Sequence, residues 1–184
     1  MTVYYVSMVD EEMEFFMYPD NKTLIQRHGC LEYAPGEKEA LTMELAGRIL
    51  VVDDNPNGRA VVQRILSCFG LAVETADNGL EACHRALTEL KEGRPFDLIL
   101  MDMHMPVMDG FAAAMYLRES GYTRRIAALT SNPHDAVREQ CFTVGCDDYA
   151  LKPIGYEMLF DLIKRNLEAG IPLRSAAASP KNAA

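Results

Sequence analysis

Residues 96–110 read FDLILMDMHMPVMDG, and the rest of the chain is arranged around this stretch. Its first half is an almost unbroken apolar run up to Met101, which is typical of a strand buried on both faces of a parallel sheet. Polarity returns at Asp102, so we expect the strand to end there. Pro106 prevents an immediate helix, and the Asp-Gly pair that follows indicates a turn. Because ligands gather at the carboxyl ends of parallel strands, Asp102 is a candidate functional residue.

Apolar strand patterns alternate with helix patterns on both sides of this stretch. The strands are predicted at residues 49–52, 72–76, 96–101, 126–129 and 147–150. The helices are predicted at residues 55–69, 80–91, 111–119, 133–144 and 156–169. This alternation indicates right-handed crossovers and one parallel sheet, and therefore an α/β fold.

The ends of the chain differ from this regular part. Residues 1–46 form an acidic N-terminal extension, and nine acidic against three basic residues precede Arg48. In this extension, residues 15–18 and 22–25 predict a hairpin, and residues 37–46 predict a short helix. We expect one domain at residues 47–169 and a disordered tail at residues 170–184, which is rich in Ala, Ser and Pro.

Composition narrows the class of protein. With 184 residues and 49% hydrophobic content, the chain can bury one ordinary core, and no apolar run is long enough to span a membrane. A net charge of −9 argues against a nucleic-acid surface. The odd number of cysteines, with no Cys-x-x-Cys pair, predicts buried free thiols in a cytoplasmic protein; they are Cys30, Cys68, Cys83, Cys141 and Cys146.

Several predicted strands end at residues that carry chemistry. The first delivers Asp53 and Asp54, the third Asp102, the fourth Thr130 and the fifth is followed by Lys152. Three clustered carboxylates repel one another unless a hard cation such as Mg²⁺ lies among them. A lysine and a hydroxyl beside a metal-bound aspartate would clamp a phosphoryl group. The pattern therefore predicts a phosphoacceptor aspartate.

Four motifs, in this order, resemble those of response regulator receiver domains: residues 49–55 (ILVVDDN), 101–110 (MDMHMPVMDG), 128–131 (ALTS) and 145–153 (GCDDYALKP). The resemblance extends over residues 47–169, and the loop before Gly110 is especially similar to receivers of hybrid sensor histidine kinases. It implies a flavodoxin-like, doubly wound, five-stranded parallel sheet of order 2-1-3-4-5. It also implies phosphotransfer from a histidine kinase or a histidine phosphotransfer protein.

The resemblance further implies a role for each site residue. Asp102 would be the phosphorylated residue. Asp54, Asp102 and the main-chain carbonyl of His104 would bind Mg²⁺, with Asp53 acting through water. The receiver would not be a turnover enzyme, although it takes part in its own phosphotransfer and slow dephosphorylation.

Two further residues complete the implied site. Thr130 and Lys152 would contact the phosphoryl oxygens, and Tyr149 would act with Thr130 as an aromatic switch. That switch would alter a surface that binds an unknown downstream protein.

Purely structural roles for the same residues remain as alternatives. Asp53 and Asp54 suit a helix cap, as does Thr130, and Tyr149 at a strand end suits ordinary packing. His104 departs from the apolar residue common there in hybrid-kinase receivers, and we expect it to face solvent.

Rival functions stay open as well. An aspartyl-phosphate phosphatase also uses a strand-tip aspartate with Mg²⁺, but it resembles an Asp-x-Asp signature, whereas Asp53 and Asp54 are adjacent. The chain could instead be a degenerate receiver, or a segment of a larger hybrid kinase whose ATP-binding half would lie outside this sequence. The oligomeric state is open, and a homodimer is one candidate.

Overall fold

The computed structural model describes residues 45–169 and, before them, the backbone of four short strands. These strands are β1 (Tyr4–Val6), β2 (Phe15–Met17), β3 (Thr23–Arg27) and β4 (Cys30–Tyr33), and they pair antiparallel in that order. The β2–β3 pair, with Phe16 opposite Leu24, lies where the sequence predicts a hairpin. Of the helix predicted at residues 37–46, all but the last two residues lie outside the described part, and Leu45 and Ala46 are not helical. The tail at residues 170–184 also lies outside it.

Residues 45–169 contain a second sheet with its helices. The elements are β5 (Arg48–Val52), α1 (Pro56–Cys68), β6 (Ala72–Ala76), α2 (Gly79–Lys91), β7 (Leu98–Asp102), α3 (Gly110–Glu119), β8 (Arg125–Thr130), α4 (Asp135–Thr143), β9 (Asp148–Leu151) and α5 (Tyr156–Glu168). The five strands are parallel, in the order β6-β5-β7-β8-β9. Counted along this sheet, that is the predicted order 2-1-3-4-5, so the α/β flavodoxin-like prediction is confirmed.

The central strand β7 is buried along its whole length. Its side chains alternate between two cores, with Leu98 and Leu100 in one and Ile99 and Met101 in the other. Helices α1 and α5 cover the first core, while α2, α3 and α4 cover the second. Both faces of the sheet are therefore closed, which explains why the β7 sequence is apolar without alternation.

Polar side chains start the first three helices at the carboxyl edge of the sheet. Asn55 caps α1, Asn78 caps α2 and Asp109 caps α3, each by accepting hydrogen bonds from main-chain N–H groups of the first turn. The predicted turn at Asp109 is thus the cap of α3. These caps end each loop at a defined residue and so keep the strand ends close to the helix starts.

Cysteine burial agrees with the sequence for three of the four thiols in residues 45–169. Cys83, Cys141 and Cys146 are buried thiols rather than disulfides, while Cys68 is only half-buried, so the prediction of a buried thiol is wrong there. Burial raises the pKa of the Cys83 thiol to about 11. The described residues include no helix with the length and apolar character needed to cross a bilayer.

Candidate functional site

The order of the strands brings the predicted site residues to one edge of the sheet. Strand β7 lies between β5 and β8, so Asp102 is central, with Asp53 and Asp54 after β5 on one side. Thr130 ends β8 on the other side, and Lys152 follows β9. The main-chain N–H of Lys152 donates to the carbonyl of Thr130 at 2.8 Å, which joins the last two strand ends.

Three carboxylates form an acidic cluster at this edge. One oxygen from each of Asp53, Asp54 and Asp102 lies within 4.8 Å of the others. Asp53 and Asp102 are buried and Asp54 is exposed, so the cluster opens to solvent on one side. Carboxylate oxygens grouped in this way, with room for water, are the donor set that a hard divalent cation prefers. The residues therefore fit a metal site.

Lys152 bridges the two buried members of the cluster. Its Nζ lies 2.6 Å from Asp53 Oδ2 and 2.7 Å from Asp102 Oδ2. Burial by itself lowers the pKa of this ammonium, but its hydrogen bonds and charge interactions with Asp102 and Asp53 outweigh that and raise the pKa. The lysine therefore stays charged at neutral pH and offsets part of the carboxylate repulsion.

We expect Lys152→Met to destabilise the metal-free protein by about 1–3 kcal/mol at neutral pH. The change leaves two buried carboxylates without their cation; the loss is smaller than for a fully buried pair because Lys152 is partly exposed. The deficit should persist at every pH at which the wild-type lysine keeps its proton. Because the folded pKa of Lys152 is raised, wild-type stabilisation by this lysine is present below the unfolded pKa. It is lost only as the pH rises through the folded pKa.

Urea unfolding across this pH range measures the effect. Lys164→Met is the matched control, because Lys164 belongs to an exposed pair with Glu168 at 4.0 Å and should cost less than about 0.5 kcal/mol. Equal stabilities for the two variants at neutral pH would contradict the expectation.

Two hydrogen bonds orient the cluster further. The main-chain N–H of His104 donates to Asp102 Oδ1 at 3.0 Å, and that of Asn55 donates to Asp53 Oδ1 at 2.8 Å. Both carboxylates are therefore held at each oxygen, one by main chain and one by Lys152. This leaves Asp102 ordered at the end of β7.

Thr130 is completely buried at the end of β8. Its Oγ1 accepts a hydrogen bond from the main-chain N–H of Asn132 at 3.1 Å, which leaves the hydroxyl hydrogen able to donate. Thr130 follows Leu129, the sheet partner of Asp102, and the described residues show no hydrogen bond between the side chains of Thr130 and Asp102.

Tyr149 and His104 lie at the margin of the site. Tyr149 pairs with Ala128 in the sheet, and its half-buried ring lies 5.6 Å from the guanidinium of Arg138. His104 is exposed, as expected, and its ring meets that of Phe111 edge-on at 6.1 Å. Neither side chain contributes an atom to the acidic cluster.

Sequence reasoning missed Arg59. Its guanidinium donates to the main-chain carbonyl of Asp53 and lies 2.7 Å from Asp77 Oδ1. The cap at Asn55 could have signalled that a residue one turn into α1 stands over this edge, but the contact itself is made to main chain. A contact to main chain of this kind leaves no side-chain pattern in the sequence from which it could be predicted.

Comparison with known proteins places this site in a family. The sequence profile described as "Response regulator receiver domain" matches residues 49–164, which include all four strand-end motifs. The chain belongs to the response regulator receiver family. The receiver is a signalling domain, and in this chain it holds the acidic cluster and Lys152 together at one edge.

Relatives of two kinds share this receiver. The sensor histidine kinase GacS of Pseudomonas protegens is 33% identical over 147 residues, which are 77% of this chain but 15% of the kinase. The two-component response regulator 24 of Arabidopsis thaliana is 32% identical over 116 residues, 63% of this chain and 81% of that protein. The chain thus spans only a small part of the histidine kinases that it matches.

Solved structures agree with the fold. The chemotaxis protein CheY4 of Vibrio cholerae is 32% identical, with a TM-score of 0.60, and the match covers 67% of this chain and all of that one. The boundaries predicted at residues 46 and 169 stay predictions.

Proposed function

We propose that this receiver accepts a phosphoryl group on Asp102 in a Mg²⁺-dependent reaction. The observation that carries the proposal is the contact of Lys152 with both Asp53 and Asp102 inside a cluster of three carboxylates. A cationic side chain held between ordered carboxylates can receive the oxygens of a transferring phosphoryl group. The donor would be a histidine kinase or a histidine phosphotransfer protein.

The reaction balances without any further reactant. A carboxylate oxygen of Asp102 attacks phosphorus, and an O–P bond forms as the P–N bond of the donor phosphohistidine breaks. The electron pair of that bond stays on the imidazole nitrogen of the donor, and the ring leaves as a neutral imidazole because its other nitrogen carries a proton. Lys152 offsets the charge of the new acyl phosphate, and the Thr130 hydroxyl donates to one of its oxygens. The product is a modified receiver, so the chain does not act as a turnover enzyme.

Oxygen donors already present would hold the cation. Asp54, Asp102 and the main-chain carbonyl of His104 would bind Mg²⁺ directly, and Asp53 would do so through water. When bound, the cation neutralises charge on the transferring phosphoryl oxygens. The exposed side of the cluster at Asp54 provides an open face for the phosphodonor.

Readout would follow from the new charge at Asp102. A phosphoryl group adds about −1.5 to −2 charges, by analogy with phosphorylated hydroxyl side chains, and would draw the Thr130 hydroxyl toward it. Tyr149 lies on the next strand and would turn into the space behind Thr130, leaving the guanidinium of Arg138. The surface of α4, β9 and α5 would then change for a downstream protein. The cytoplasmic location predicted from the sequence stays a prediction.

The family match favours this function over an aspartyl-phosphate phosphatase. Intact Asp53, Asp54, Asp102 and Lys152 favour it over a degenerate receiver. The kinase relatives support a place for this receiver within or beside a hybrid histidine kinase, and the chemistry at Asp102 is the same in either setting.

Incubation with acetyl phosphate tests the proposal. We expect the intact mass to rise by one phosphoryl group in Mg²⁺ and not in EDTA, and peptide mapping to place the group on Asp102. Labelling that is unchanged in EDTA, or that maps to another residue, would show the assignment to be wrong.

A further inference from the structure

Arg59 reaches from the first turn of α1 back over the ends of two strands. Its own N–H donates to the carbonyl of Asn55 at 3.0 Å, so the helix start holds the base of the side chain. One terminal nitrogen donates to the main-chain carbonyl of Asp53, and the other lies 2.7 Å from Asp77 Oδ1. The Arg59 side chain is 15% exposed, whereas that of Asp77 is 67% exposed. The guanidinium is thus sheltered, and it spans the ends of β5 and β6.

We propose that Arg59 is a positioning residue that holds two carboxylates of the acidic cluster in the arrangement that binds Mg²⁺. This inference rests on the proposed function, because the cation in question is the one proposed there. Its basis is the hydrogen bond from Arg59 to the carbonyl of Asp53.

The main-chain carbonyl of Asp53 accepts its hydrogen bond from Arg59, whereas the other polar groups of Asp53 have other partners. The main-chain N–H of Asp53 donates to the carbonyl of Ala76 at 3.2 Å. The carboxylate accepts from the N–H of Asn55 and from Lys152. Strand β5 has ended by this point, and Asp53 is buried, so the sheet supplies no donor for the carbonyl. Without Arg59 a poorly solvated carbonyl would lose its donor, which favours a different loop conformation.

The position of the same carbonyl also affects the orientation of Asp54. The C=O of Asp53 and the N–H of Asp54 belong to one planar peptide group, so anchoring the oxygen fixes the plane from which Asp54 departs. Arg59 therefore sets the direction of Asp54 relative to Asp53. Groups that orient metal ligands in this way strongly affect metal affinity, although they do not touch the metal.

Only an arginine suits both contacts. Its planar guanidinium presents two terminal nitrogens in a fixed fork, which can bind the Asp53 carbonyl and the Asp77 carboxylate together. A lysine at this position keeps the charge but offers a single nitrogen on a flexible chain. Charge and positioning can therefore be separated by experiment.

The two roles predict opposite signs. If Arg59 acted only through its positive charge, its removal would strengthen cation binding, because a nearby repulsive charge would be gone. If Arg59 positions the carboxylates, its removal weakens cation binding, and Arg59→Lys also weakens it despite the retained charge. The affinity for Mg²⁺ therefore distinguishes the roles without any measurement of phosphorylation.

We would titrate the full chain with Mg²⁺ and follow amide chemical shifts by NMR, since the chain has no tryptophan to report binding. We expect Arg59→Met to weaken Mg²⁺ binding by about 10-fold or more, and Arg59→Lys to weaken it to a lesser degree. Arg85→Met is the matched control. It also removes one positive charge, but Arg85 lies on α2, pairs with Glu81 and Glu74 and is 42% exposed. Its affinity should stay within about 2-fold of wild type because exposed charges are screened.

Urea unfolding in EDTA, run on the same samples, separates loss of affinity from loss of folding. Affinity in Arg59→Met that equals or exceeds that of wild type would overturn the positioning role. Should Arg59→Met not fold, wild-type affinity in Arg59→Lys would overturn it equally. Failure of the wild-type chain to bind Mg²⁺ would overturn the proposed function, and this inference with it; normal wild-type binding with unchanged Arg59 variants would overturn this inference alone.

Discussion

Asp102→Asn is expected to abolish phosphorylation by acetyl phosphate. The amide has nearly the shape of the carboxylate but is a far weaker nucleophile, so the attack on phosphorus is lost while the packing at the end of β7 is kept. Folding should survive, since the change removes one of two buried negative charges and leaves Asp53 paired with Lys152. Intact-mass analysis after incubation in Mg²⁺ measures the loss, and urea unfolding confirms that the variant is folded.

Asp109→Asn is the matched control for this experiment. Asp109 lies in the same loop, is exposed, and caps α3 by accepting from the N–H of Ala112 at 2.8 Å. Asparagine caps helices as well as aspartate does, so labelling should stay at the wild-type level. A folded Asp102→Asn protein that is labelled as fast as Asp109→Asn would disprove the assignment of Asp102.

Gly110→Ala is expected to be the most destabilising single methyl addition at this edge, at about 3 kcal/mol. A Cβ at Gly110 would lie 2.2 Å from the main-chain oxygen of Asp102 and 2.6 and 2.9 Å from two atoms of Met103. Two of these three atoms are main chain in or next to the buried strand β7, which cannot yield without moving the sheet. The first turn of α3 would be pushed off the strand end, and Asp102 would move with it.

Urea unfolding of Gly110→Ala beside Gly58→Ala measures this cost. Gly58 is also in the first turn of a helix, but a Cβ there meets nothing closer than 3.7 Å. Alanine at Gly58 should therefore be neutral or stabilising by up to about 1 kcal/mol. If both variants unfolded at the same urea concentration, the close approach at Gly110 would not be a real constraint.

The strand that ends at Asp102 could be predicted from the sequence because its apolar pattern depends only on residues adjacent in the chain. An unbroken apolar run flanked by polar residues is compatible with few structures other than a strand covered on both faces. Strand β7 is such a strand. The helix starts were readable for the same reason. Asn55 and Asn78 cap helices through contacts made within three residues.

The burial of individual site residues could not be predicted from the sequence pattern. The complete burial of Thr130 follows from the strands and helices that pack around the end of β8, and Thr130 looks the same in sequence as an exposed helix cap. The half-burial of Cys68, the last residue of α1, likewise follows from what packs around that end of the helix. Burial depends on what packs against a residue, and that is settled by distant parts of the chain.

The amino-acid sequence thus specified the order of strands and helices and the identity of the groups at the strand ends, because periodicity, capping and turn chemistry are local. The contacts between those groups were determined by the tertiary structure. Lys152 reaches both Asp53 and Asp102 because β7 lies between β5 and β8, and Arg59 reaches Asp77 because β6 lies beside β5. Such contacts join atoms far apart in the chain, and they form only when the two cores have packed and set the positions of the strands.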